Sequence, residues 1–118
     1  MTKVPSSFYD DLERDLVDPA FRRQFLLESE RIATVDRIIN QLDEVRQELG
    51  MTKAELARAI GRTPESIRRL MTAPSVNPQL SFVAEMASAL GYRITLAPMS
   101  AADRREIAEP LREAAKAG

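Results

Sequence analysis

The chain has no cysteine, no histidine and no tryptophan, and aromatic residues make up 5% of its 118 positions. Without cysteine there are no disulfides and no thiolate zinc sites. Without histidine there is no Ser-His or Cys-His nucleophile pair. Carboxylates alone bind metals weakly, so neither a metal centre nor a cofactor is expected. No apolar run approaches the roughly 20 residues that a membrane-spanning helix needs. The Met1–Pro5 start lacks a basic-then-apolar organisation, so no secretory signal is expected and the chain is read as cytoplasmic. The scarcity of aromatics leaves Leu, Ile, Ala and Val to build the core, which suits packed helices.

What is present is a charge pattern hidden by a net charge of −1. Residues 1–49 hold 7 basic and 11 acidic residues, whereas residues 50–74 hold 5 basic against 2 acidic. That second segment, net +3, contains Lys53, Arg58, Arg62, Arg68 and Arg69. Residues 75–118 are neutral, with 5 of each sign. A pI near 5.5 argues against a polyanion-binding surface over the whole molecule, but it leaves room for one local basic patch.

Glycines punctuate the chain. Gly50, Gly61 and Gly91 each follow a stretch of helical periodicity, where a C-terminal glycine takes a positive φ at little cost. Helix starts are equally legible. Ser7 with Asp10 and Thr52 with Glu55 have capping-box spacing, and Ser100 with Asp103 repeats the pattern. Asp18-Pro19, Thr63-Pro64 and Asn77-Pro78 each place a capping residue before a proline.

These signals predict helices over about 7–17, 18–32, 34–49, 53–60, 64–72 and 78–90. A loop is expected at 73–76. A tail helix from Ala101 should be disturbed at Pro110. Val35, Ile38, Ile39, Leu42, Val45 and Leu49 form one apolar stripe. In the helix over 78–90, Leu80, Val83, Ala84, Ala87 and Leu90 are expected to face inward. The chain thus divides into an N-terminal helical leader (1–33), a central domain (34–98) and a C-terminal tail (99–118).

Between Tyr92 and Ala97 the period changes to alternation, and Pro98 stops it. A lone strand leaves its backbone groups unpaired and needs a partner. One reading pairs it with the same strand of a second copy across a two-fold axis, through Tyr92, Ile94 and Leu96. The other lays it as an extended tail on its own domain. The expected fold class is mainly all-α: a helix-turn-helix bundle of about five helices, with the helical leader and this one short strand.

The segment ELARAIGRTPESIRRLM carries the functional signal. In a helix-turn-helix, two short helices cross steeply at a tight turn. Ala57 allows close approach, Gly61 makes the turn, and Leu56, Ile60, Ile67 and Leu70 supply apolar anchors. With those buried, Pro64, Glu65, Ser66, Arg68, Arg69 and Thr72 fall largely on the outer face. The N-terminal part of such a helix enters the major groove. Arg68 and Arg69 have the chemistry to donate to a guanine edge or to a phosphate. Lys53 and the helix N-termini at 53 and 64 are placed for phosphates. Two readings stand for Glu65: acceptor from a cytosine amino group, or simple complement to the helix dipole. Two stand for Arg62 as well: a DNA contact, or a cover for the turn.

At this point a resemblance is plain. The strings LGMTKAELARAIGRTPESIRRLMTAP and NPQLSFVAEMASALGYRITLAP, spanning about Val35 to Leu96, resemble the lambda-repressor/Cro-like (Xre) helix-turn-helix family. The ending ALGYRITL and the leader LVDPAFRRQFLLESER are similar to those of HigA-type antitoxins. The resemblance implies a homodimer that binds a palindromic double-stranded DNA operator in its own promoter. It also implies a cognate RelE/HigB-like ribonuclease toxin as partner. Thr63, Glu65, Ser66, Arg68 and Arg69 fall where family members touch bases or phosphates, and Lys53 where many carry a glutamine near phosphate. The chain departs from the pattern at Pro64, which replaces a polar reader, and at Arg62, which stands at an apolar turn position.

A protein-binding module, with the helix-turn-helix as scaffold only, is the rival reading. The acidic leader with Phe8, Asp11, Phe21 and Phe25 would suit a basic toxin; equally, those aromatics would cap the core. An enzyme is not expected, because no histidine, cysteine or phosphate loop accompanies the carboxylates.

Overall fold

The computed structural model describes residues 18–73 and 77–117. The helix expected over 7–17 therefore lies outside the described residues, as do the Ser7 cap, Phe8 and Asp11. The described residues are mostly helical: α1 (Pro19–Glu48), α2 (Lys53–Ala59), α3 (Pro64–Thr72) and α4 (Leu80–Ala89) are followed by a C-terminal helical run. None of these helices is long and apolar enough to cross a membrane.

Residues 32–96 form one compact unit. Its core is Ile39 and Leu42 from α1, Leu56 and Ala57 from α2, Ile67 and Leu70 from α3, and Val83, Met86, Ala87 and Leu90 at α4. Leu56, Ala57, Ile67 and Met86 are fully buried. Helix α2 packs on α3 and on α4. No side-chain polar atom is buried without a partner among the described residues.

The local chemistry explains the element boundaries. Thr52 and Glu55 form the capping box: the Glu55 N–H donates to Thr52 Oγ1 at 3.0 Å, and the Thr52 N–H donates to Glu55 Oε1 at 3.1 Å. Thr63 caps α3, with Pro64 at its first turn. Asp18 caps α1, its Oδ1 accepting from the Ala20 N–H at 3.0 Å.

Helix α2 ends in a paired reversal at Gly61, whose φ is +68°. The Arg62 N–H reaches back to the Ala57 carbonyl at 2.9 Å, and the Gly61 N–H to Arg58 at 3.3 Å. This hydrogen-bond pattern needs a left-handed residue at 61, and glycine adopts it without strain. The same arrangement closes α1 at Gly50 and α4 at Gly91. At the first of these, Arg46 also donates to the Met51 carbonyl at 2.7 Å while pairing with Asp43, which fixes the entry to α2.

Three expectations are corrected. The helices expected over 18–32 and 34–49 are one helix of 30 residues. No proline or glycine lies between Pro19 and Gly50, so nothing interrupts the ladder at Ala33-Thr34. Helix α4 starts at Leu80, after Gln79 rather than Asn77, and has no side-chain cap. Its buried face is accordingly Val83, Met86, Ala87 and Leu90, while Leu80 and Ala84 are exposed. Leu49 is exposed too, because α1 has ended before it.

Residues 92–100 form neither helix nor strand. A strand is defined by its ladder partner, and the described residues of a single chain supply none for this segment. Tyr92, Ile94 and Leu96 are all exposed.

Taken by itself, the C-terminal run begins at Ser100, whose Oγ accepts from the Asp103 N–H at 3.1 Å. It comprises α5 (Ala101–Asp103), a π-helical turn (Arg104–Ala108) and α6 (Glu109–Ala117). The disturbance expected at Pro110 takes this form. Pro110 has no N–H for the carbonyl of Glu106 and its ring crowds that carbonyl, so the preceding turn widens. The Glu109 N–H then bonds to Arg104, five residues back.

The capping box gives a pH signature. The Thr52 backbone N–H, then its hydroxyl, and then the nearby Arg58 charge hold the Glu55 carboxyl below its ordinary value of 4.5. A depressed folded value stabilises the fold above the unfolded value, and that contribution is lost as pH falls through the folded one. At neutral pH the wild-type chain should melt above Glu55→Gln. The gap should close in thermal melts taken progressively below 4.5.

Candidate nucleic-acid interface

Helix α3 is the element with two opposed faces. Ile67 and Leu70 are buried against α2, which fixes its rotation. Glu65, Arg68, Arg69 and Thr72 follow i, i+3, i+4, i+7 spacing and all stand exposed on the other side. Two arginines, one carboxylate and one hydroxyl therefore form a single outward stripe.

The side chains on that stripe are not equally free. Arg68 Nη1 lies 2.6 Å from Glu65 Oε2, in an ion pair exposed on both partners. Arg69 has no ion pair among the described residues. Thr72 Oγ1 donates to the Arg68 carbonyl at 2.6 Å. At the start of α3, Thr63 Oγ1 accepts from the Ser66 N–H at 3.2 Å, and Ser66 Oγ donates to the Thr63 carbonyl at 2.7 Å. Thr63 and Ser66 thus serve first as the cap that begins the helix. One of the N–H groups expected for a phosphate is already used there.

Lys53 opens α2, half-buried, at the same helix start as Thr52 and Glu55. The Glu55 carboxylate sits at this end, so the helix dipole there is already met by an anion. Lys53 is left as the cation of that terminus.

Arg62 packs on α4. Its Nε is 3.1 Å from Glu85 Oε2, and its guanidinium carbon lies 4.0 Å from the centroid of the Phe82 ring. It occupies the position just past the glycine, where an apolar residue usually packs back on the helix. Stacking on Phe82 meets the same need with a cation. This geometry supports the reading of Arg62 as a cover for the turn. Phe82 and Glu85 were not anticipated. Their signal was their i, i+3 spacing on α4, together with an arginine at a turn position that wants an apolar contact.

In the leader, Phe21 and Phe25 are exposed on α1, with ring centroids 6.5 Å apart. They form a small aromatic platform. No group of acidic side chains fit to hold a metal ion occurs among the described residues.

Residues 42–96 match the family model described as Helix-turn-helix. Within them, α2, the reversal at Gly61 and α3 make a helix-turn-helix motif. The match supports a DNA-binding helix-turn-helix regulator and agrees with the lambda-repressor-like resemblance. No curated protein and no solved structure matches the chain. In this motif α2 is the first helix and α3 the second, and Gly61 and Arg62 lie in the turn between them.

The Arg62 geometry makes a specific prediction. A half-exposed ion pair is worth about 0–1 kcal/mol and an exposed cation–π contact about 0.5–1 kcal/mol. Arg62→Ala should therefore destabilise the domain by about 1 kcal/mol, lowering its melting temperature by roughly 4–8 °C. The salt dependence of DNA binding should stay unchanged. A loss of about one unit of slope would instead show a phosphate contact.

Proposed function

We propose that the chain is a sequence-specific DNA-binding transcriptional repressor. The outward stripe Glu65-Arg68-Arg69-Thr72, on a helix whose other face is locked into the core, is the observation that carries this reading. Helix α3 lies in the major groove, with Arg68 and Arg69 toward guanine edges and Lys53 toward phosphate. The chain acts as a binding protein rather than an enzyme, and works in the cytoplasm.

The repressor is a homodimer on a palindromic operator. Tyr92, Ile94 and Leu96 support this, because three apolar side chains at alternate positions stand exposed in the single chain. Pairing of 92–96 with the same segment of a second copy covers them and fills the backbone hydrogen bonds. The finer role is that of an antitoxin that neutralises a RelE/HigB-like ribonuclease toxin and represses its own operon. The leader's resemblance to HigA-type antitoxins supports it, as does the exposed Phe21–Phe25 platform, a surface suited to a protein partner.

Binding to the DNA upstream of its own coding sequence, against scrambled duplex over a salt series, tests the reading. Specific binding should weaken steeply with salt. Arg69→Ala should cost about 1–3 kcal/mol on that DNA. Unchanged affinity and slope in both Arg68→Ala and Arg69→Ala variants would remove α3 from the interface.

The dimer has a separate test. Leu96 is 101% exposed in the single chain, so Leu96→Asp should leave the domain folded, with its helical circular dichroism kept. Sedimentation should show the wild type as a dimer and Leu96→Asp shifted toward monomer. A monomeric wild type would refute the pairing.

A further inference from the structure

We propose that Glu65 is a specificity-determining residue that acts through Arg68, turning that arginine away from phosphates and toward base edges. The inference rests on the DNA reading above and deepens it. Its basis is the 2.6 Å ion pair between Arg68 Nη1 and Glu65 Oε2, on the exposed face of the recognition helix. Both side chains belong to the outward stripe, so both meet whatever α3 meets.

The chemistry discriminates between two targets. An arginine has five N–H donors, and a contact through Nη1 leaves its other edge free. A guanine presents O6 and N7, two neutral acceptors that match this edge. A neutral base tolerates a carboxylate beside the arginine, and a cytosine amino group donates to it. A phosphate is an anion, and the Glu65 carboxylate repels it. Non-specific binding is almost wholly a matter of phosphate contacts. Glu65 therefore weakens Arg68 on random sequence while leaving it competent at a G·C pair.

Position also matters. Glu65 lies one turn nearer the N-terminus of α3 than Arg68. The ion pair draws the guanidinium toward the end of the helix that enters the groove. Glu65 biases Arg68 toward that end.

The experiment uses the full chain and a duplex selected by that chain from a random-sequence pool. Dissociation constants are measured for this duplex and for a scrambled one, each over a salt series. Glu65→Gln should bind the scrambled duplex more tightly, with a salt slope steeper by about 0.9. The ratio of specific to scrambled affinity should fall by roughly five- to ten-fold. Thr63 and Pro64 hold the start of α3, so the variant should keep its helical circular dichroism.

A cycle with Arg68→Gln separates this role from a general charge effect. In the Arg68→Gln background, Glu65→Gln should lose most of its effect on the ratio. An unchanged ratio in the single variant overturns the proposal. So does an equal shift in both backgrounds, which would make Glu65 a bulk charge. If the wild-type chain selects no sequence from the pool, the DNA reading itself falls, and that result is distinct from either.

Discussion

The helix-turn-helix hangs on one hydrogen bond, from the Arg62 N–H to the Ala57 carbonyl at 2.9 Å. It reverses the chain within one turn and sets where α3 begins. The bond forms because Gly61 takes a φ of +68°, and Ala57, fully buried, then lets the two helices pack closely. Once the reversal is made, Leu56 from α2 and Ile67 with Leu70 from α3 are buried in one core. That burial fixes the rotation of α3. The rotation in turn decides which four side chains point outward. A different turn would give the same composition with another face exposed.

The electrostatics depend on the same geometry. Residues 50–74 carry a net +3 in sequence with Glu55 and Glu65 already subtracted, and folding sets one further carboxylate, Glu85, against that segment. Arg62 is held by Glu85 and Phe82, and Arg68 by Glu65. Arg69, Arg58 and Lys53 are left as the less committed cations of that segment. Counting charges along the chain therefore overstates the free positive potential at α3. For a protein of pI near 5.5, long-range attraction to DNA is weak in any case. On the DNA-binding reading, recognition leans on the placement of a few donors.

How much of this was legible in the sequence depended on the range of the interaction responsible. The caps at Thr52, Thr63 and Ser100 and the reversals at Gly50, Gly61 and Gly91 are local, made within six residues, and they could be read directly. The anchors of α2 and α3 were legible for a related reason: a short helix with one apolar stripe has one way to face a core. Helix α1 was misjudged because its continuity depends on the absence of breakers, which leaves no positive mark. In α4, Met86 joins the buried face and Leu80 does not, because the helix starts later than Asn77-Pro78 suggested. The partners of Arg62 are 20 and 23 residues away, and only the packed fold brings them together.

The contrast between Arg62 and Arg68 shows what a motif alone cannot supply. Both are arginines of the motif segment, six positions apart, and both are paired with a glutamate. Glu85 belongs to another helix and sits beside an aromatic ring, so its pair with Arg62 joins the turn to α4. Glu65 lies on the same exposed face as Arg68, so its pair joins nothing in the fold. A surface pair of that kind adds at most a few tenths of a kcal/mol to a helix. Arg62 is thereby placed to shape the fold that presents α3, whereas the Glu65–Arg68 pair lies where it bears on what α3 touches.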